Sequence, residues 1–167
     1  MIYKVNRSNK DDISKYSLVF NASIFTEFDR KLGRKGEKEI TIHLKFNGIS
    51  EGVKHGPRIK VTKVPGDAER EYYYPMNPDS GEITYSLKHN PDNKICRDVA
   101  KIIAGFAYEN HDIIKKYFGY RDGNGRIIKG DPSIERQISD AVDKYNSLSD
   151  NAKKEYIRKG KIKYKKK

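Results

Sequence analysis

Residues 82–119, EITYSLKHNPDNKICRDVAKIIAGFAYENHDIIKKYFG, contain the change of period on which the fold turns. The first residues alternate, with Ile83, Tyr85 and Leu87 on one face, the pattern of a half-buried strand. After Asn90-Pro91 the apolar residues fall at Ile95, Val99, Ile102, Ile103, Phe106, Ile113, Ile114 and Tyr117. That is helical spacing, sustained for about seven turns. Asn90 reads as the N-cap, Pro91 as the first helical residue and Gly119 as the stop. Such a helix is long enough to cover one face of a sheet.

Upstream, the chain is strand-like. KYSLVFNASIF (15–25) is β-branched and aromatic, and EITIHLKFNG (39–48) alternates, with Ile40, Ile42, Leu44 and Phe46 on one face. TEFDRKLGRKG (26–36) reads as a charged connection with a helical turn. Arg58 to Val64 and Glu69 to Tyr74 flank Pro65-Gly66-Asp67 and predict a hairpin. Downstream, Asp122-Gly123 and Asn124-Gly125 predict a small hairpin or loop. A second helix is expected from Asp131-Pro132, carrying Ile134, Ile138, Ala141, Val142, Tyr145 and Leu148, and a short third one from Ser149 to about Lys159. The expected class is α+β: a four- to five-stranded antiparallel sheet packed on a long helix, with two C-terminal helices and a basic tail. Residues 1–160 form one domain, strand-rich over 1–90 and helical over 91–160, and 161–167 form the tail.

The length is sufficient for a core without disulfides or metal. Cys96 is the single cysteine, which predicts a reducing, cytoplasmic setting. No signal-like run opens the sequence and no stretch is apolar enough to span a membrane, so no membrane partner is expected. Lys, Ile and Asn are frequent; their AT-rich codons point to a low-GC bacterium or its phages.

The formal net charge is +12. The last fifteen residues, KKEYIRKGKIKYKKK, hold nine Lys or Arg against one Glu and supply +8 of it. Lys153, Lys154, Arg158, Lys159, Lys161, Lys163, Lys165, Lys166 and Lys167 are therefore candidate contacts for a polyanion, whose binding releases condensed counterions. Tyr156 and Tyr164 lie among them. A second basic group is Arg30, Lys31, Arg34, Lys35 and Lys38; a third is Lys54, Arg58, Lys60 and Lys63. Tyr72 and Tyr74 project together from the expected hairpin partner of the third. Cations beside aromatics on a sheet suit single-stranded nucleic acid or a nucleoprotein surface. The competing assignments are a merely solubilising tail and tyrosines packed in the core.

Catalytic signatures are absent from the sequence: there is no GxSxG, no phosphate-cradling glycine loop, and no paired Cys or His at zinc spacing. His89 and Cys96 lie seven apart, too little to define a metal site. Pro78-Asp79 followed by Asp92-Asn93-Lys94 meets the loose PD…DxK nuclease pattern, yet the second part falls at a helix start rather than on a strand. No catalytic residue, metal ligand or cofactor is assigned.

Residues 55–119 resemble a small bacterial domain family found in toxin–antitoxin-like gene pairs. The shared outline is a histidine-led strand, HGPRIKV, a charged strand, EREYYYP, a glycine turn and third strand, SGEITYSL, and a long helix ending in ENHDIIKKYFG. Where the family's strand carries a second histidine, this chain has Arg58 and Lys60. The resemblance implies a sheet-plus-helix fold and no reaction.

The expected function is non-catalytic binding to nucleic acid, to a nucleic-acid-handling protein complex or to an acidic protein surface. A phage or mobile-element inhibitor of host defence, of the anti-CRISPR kind, is one concrete version. A toxin–antitoxin component and a Mg²⁺-dependent nuclease are the alternatives.

Overall fold

The computed structural model describes residues 16–20, 40–46, 56–64 and 67–166. Eight strands are described: β1 (Tyr16–Phe20), β2 (Ile40–Phe46), β3 (Arg58–Val64), β4 (Asp67–Pro75), β5 (Ile83–Ser86), β6 (Gly119–Arg121), β7 (Ile127–Lys129) and β8 (Ile162–Lys165). The helices are α1 (Lys94–Phe118), α2 (Glu135–Asn146) and α3 (Asp150–Arg158), with a 3-10 turn at Pro132–Ile134 before α2. The chain is thus mixed helix and strand, with one long helix, as expected.

The expected single antiparallel sheet is not what forms. β1 to β4 make a four-stranded sheet in sequence order, in which β2–β3 and β3–β4 are antiparallel but β1–β2 is parallel. A parallel pair needs a long crossover, and the chain from Phe20 to Ile40 has the length for one. β5 leaves this sheet. It touches β4 through one bridge, Met76 to Ile83, and then pairs in parallel with β8. β6 and β7 form the small hairpin that Asp122-Gly123 and Asn124-Gly125 announce.

The segment expected as a solvated tail is therefore largely a strand. Ile83 pairs with Ile162, Thr84 with Lys163, Tyr85 with Tyr164 and Ser86 with Lys165. The cause is the alternation hidden among the lysines of KIKYK: Ile162 packs on the core, and the Tyr164 ring sits 5.6 Å from that of Tyr85.

The core lies between the inner faces of these sheets and α1. Leu18, Ile59, Val61, Tyr74, Ile83 and Tyr85 meet Val99, Ile102, Ile103 and Phe106, all almost fully buried. Leu87 departs from the expected alternation because β5 ends at Ser86, and it is exposed. α1 begins later than expected. Asn93, not Asn90, is its N-cap, and the Asn93 side chain accepts the Cys96 N–H at 2.9 Å. Gly119 does end it, with φ 91°.

The helix is broken once, at Asn110 (φ −124°, ψ 20°). There the side-chain amide donates to the Phe106 carbonyl at 3.0 Å and to Tyr156 Oη at 2.9 Å. It thereby ties the kink to α3. α3 packs on α1 through two glycines. A Cβ at Gly105 would stand 2.8 Å from Ile157 Cα, and one at Gly160 would stand 2.4 Å from the Ala104 carbonyl carbon. At the far edge, Asn146 of α2 closes β1: it donates to the Leu18 carbonyl at 2.7 Å and accepts the Leu18 N–H at 2.9 Å. The outward backbone groups of Leu18 on that edge strand are thereby both satisfied.

Candidate functional site

β3 and β4 alternate over Arg58–Val61 and Tyr72–Pro75. Ile59, Val61, Tyr72 and Tyr74 face inward and are buried, while Arg58, Lys60, Tyr73 and Pro75 alternate with them on the outer face. Tyr73 stands opposite Lys60 in the register and is 39% exposed. The Arg58 guanidinium lies 4.6 Å from the Tyr73 ring centroid and Lys60 Nζ 5.7 Å, so cations frame the ring.

The β5–β8 pair continues the outer surface. Ile83 and Tyr85 point to the core, so Thr84 and Ser86 point out, opposite Lys163 and Lys165. A tight turn follows β5. The Ser86 carbonyl accepts from the His89 N–H at 3.2 Å, the Asn90 N–H at 3.0 Å and the Asn90 side-chain amide at 2.9 Å. Leu87 N–H donates to the Lys165 carbonyl at 3.0 Å. These bonds set Lys88 and His89 beside the end of β8.

An open groove of about 880 Å³ results. It takes Arg58 from β3, Tyr72, Tyr73 and Pro75 from β4, Thr84 and Ser86 from β5, Lys88 and His89 from the turn, and Lys165 and Lys166 from the chain end. Four of these ten residues are cationic and none is acidic. Among the described residues no carboxylate lies at ion-pair distance from Lys88, Lys163, Lys165 or Lys166. Burial drives the phenol of inward-facing Tyr74 far upward and pushes that of Tyr85 up to about 12.

Several expected contacts fall elsewhere. Tyr72 and Tyr74 are 2% and 1% exposed, so neither offers a ring to solvent; Tyr73 between them does. Lys153 is buried, because it shares the inner stripe of α3 with Ile157, and its ammonium lies 5.4 Å from the Tyr145 ring centroid. Arg158 pairs with Glu155 at 2.5 Å. Lys154 and Lys159 do not line the groove, and Lys161 lies at the opposite end of β8, its ammonium 5.7 Å from the Tyr108 ring centroid. Arg58, Lys165 and Lys166 do meet in the groove, with Lys60 and Lys163 on the same outer surface. Lys167, Lys54, the side chain of Lys63 and the basic group from Arg30 to Lys38 lie outside the described residues.

Sequence reasoning passes over Tyr73, Thr84, Ser86 and Lys88, and weighs His89 only as a metal ligand. The signal for Tyr73 was present: in EREYYYP, alternation assigns the middle tyrosine to the face opposite its neighbours.

The residues of the nuclease pattern are each drawn into other ion pairs. Asp79 sits exposed in a turn with Lys115 3.8 Å away, Asp92 pairs with Arg97, and Lys94 pairs with Asp98 at 2.5 Å. Among the described residues no three His, Cys, Asp or Glu come together to hold a metal. Nor, among them, is any helix long and apolar enough to cross a membrane.

No protein-family model, curated protein or solved structure matches the chain. The resemblance of residues 55–119 to the toxin–antitoxin-like family remains an expectation from sequence.

Proposed function

We propose that this protein binds nucleic acid, without catalysis, through the cationic outer face of its sheets. One observation carries the reading: the groove gathers Lys88, Lys165 and Lys166, together with Arg58, from three separate parts of the chain, and none of its described lining residues is acidic. Like charges repel one another, so bringing Lys88, Lys165 and Lys166 together costs stability that an anionic partner offsets. A phosphate chain is the partner whose charge spacing suits a row of cations. Each contact releases condensed counterions and adds salt-sensitive affinity.

The role as a phage or mobile-element inhibitor of host defence, or as a toxin–antitoxin component, is a proposal resting on composition and on the outline of residues 55–119. In either role the same surface meets the nucleic-acid part of a larger assembly.

The test is direct titration of labelled oligonucleotides of about 15 nucleotides, read by fluorescence anisotropy at about 50 mM salt. Saturable binding that weakens steeply with added salt supports the reading. No binding at that salt, or binding that ignores salt, overturns it.

A further inference from the structure

We infer that the preferred ligand is unpaired rather than duplex nucleic acid, and that Tyr73 is the platform on which one base stacks. This rests on the nucleic-acid reading above and adds to it the strand state and the residue that reads it.

Tyr73 is the aromatic of β4 that faces outward, 39% exposed, within the lining of the groove. Its neighbours in the strand, Tyr72 and Tyr74, anchor the backbone in the core, so the ring projects from a rigid element. The Arg58 guanidinium lies over the ring, 4.6 Å from its centroid, and Lys60 Nζ lies over it at 5.7 Å. A base that stacks on the ring displaces a cation from the face it takes, and that cation is then at hand for a phosphate flanking the base. Lys88, Lys165 and Lys166 extend that positive potential along the groove, and Thr84 and Ser86 add hydroxyls between them.

Bases in a duplex are stacked on one another and present only their edges. A ring on the surface of a sheet cannot reach a base face there. Unpaired bases can splay out and stack on it, and every base has such a face, so the contact tolerates sequence. A duplex reader needs an element that enters a groove. Among the described residues, the long helix α1 shares the buried core with the inward side chains of β3 and β5, and the outer surface carries a ring instead. Charge alone predicts equal regard for single and double strands, or a preference for the denser duplex. An exposed ring amid the cations predicts the reverse.

The experiment compares wild type, Tyr73→Leu and Tyr73→Phe against a labelled mixed-sequence single strand, the same strand in a duplex, and heparin. The wild type is expected to bind the single strand most tightly. Tyr73→Leu is expected to lose about five- to a hundredfold in single-strand affinity, with duplex and heparin binding unchanged. Tyr73→Phe keeps the π face and is expected to stay near wild type. A second readout does not depend on how the Leu variant folds: single strand quenches intrinsic tyrosine fluorescence in wild type, and by less in Tyr73→Phe. Tighter binding of the duplex overturns the inference, as does a Tyr73→Leu variant that keeps wild-type single-strand affinity, or equal quenching in the Phe variant. In those cases salt-sensitive binding persists and the broader reading stands. Absence of binding to all three probes overturns both.

Discussion

Replacing Lys165 and Lys166 by alanine tests the groove at its most quantitative point. Both side chains are exposed, both line the groove, and neither meets a carboxylate among the described residues. The outer surface holds six cations, Arg58, Lys60, Lys88, Lys163, Lys165 and Lys166. If each meets one phosphate of a single strand, log K falls with log salt at a slope of about −4. Removing two contacts brings the slope to about −3. Between about 50 and 200 mM salt the wild type then loses about 300-fold in affinity and the double variant about 50-fold. The two salt titrations converge as salt rises. Substituting exposed residues of this kind shifts stability by about 0.5 kcal/mol or less, so the thermal melt is expected to stay put. A control removes the same charge elsewhere: Lys101→Ala with Lys116→Ala, both exposed on α1, leaves the slope alone. The assay is anisotropy at five or more salt concentrations. An unchanged slope in the Lys165 and Lys166 variant, or an equal change in the control, refutes the assignment of the groove as the binding surface.

Three further outcomes concern the scaffold. Gly105→Ala gains about 1 kcal/mol of helix propensity, but its Cβ would press on Ile157 Cα at 2.8 Å; the net expectation is destabilisation of about 1–3 kcal/mol, read by denaturant titration, and a stabilised variant would disprove the close contact of α1 and α3. Asn146→Ala strips both hydrogen bonds from buried Leu18 and is expected to cost about 1–3 kcal/mol, whereas an unchanged midpoint would show that the edge of β1 does not depend on α2. The third outcome follows from Tyr74, Tyr85, Tyr145 and Tyr156, whose phenols burial raises above 10.0, with Tyr85 at about 12. A raised folded-state value means that the folded chain holds these protons after the unfolded chain has lost them. Stability is therefore full below about pH 10 and falls as pH rises through that value towards 12. Thermal midpoints at pH 9 and pH 11.5 check this, and equal midpoints refute it.

Much of this architecture is legible in the sequence because it is local. The alternation of RIKV and EITYS, the spacing from Ile95 to Tyr117 and the caps at Asp131 and Ser149 each need only neighbouring residues to be read. What is not legible is non-local. Nothing within a window places β1 parallel to β2, or sends β8 back to β5 after three helices and a hairpin. The groove suffers for the same reason. Arg58 and Lys165 are each visible as basic residues, but their meeting depends on the β4–β5 bridge and on that parallel pair. Composition also misleads where burial overrides it: Lys153 reads as one more tail cation, yet its place on the stripe shared with Ile157 turns it inward.

The strand at the chain end changes what its charge can do. Lysines on a flexible tail bind a polyanion only after the chain surrenders conformational freedom, at a cost of about 1–2 kcal/mol for each residue ordered. In β8 that freedom is already gone, because Ile162 and Tyr164 pair with Ile83 and Tyr85 and hold Lys163 and Lys165 at fixed positions. The same order makes truncation a poor probe. Deleting the chain from Gly160 onward removes a strand, uncovers Ile83 and Tyr85, and empties the close contact at Ala104. A truncated protein that fails to bind therefore reports unfolding as readily as lost charge. Substitution of Lys163 and Lys165 by glutamine separates the two: it keeps the strand and its alternation, so a stable protein with weakened, less salt-dependent binding isolates the electrostatic role. Full-strength binding by that stable variant would refute the electrostatic role given to β8.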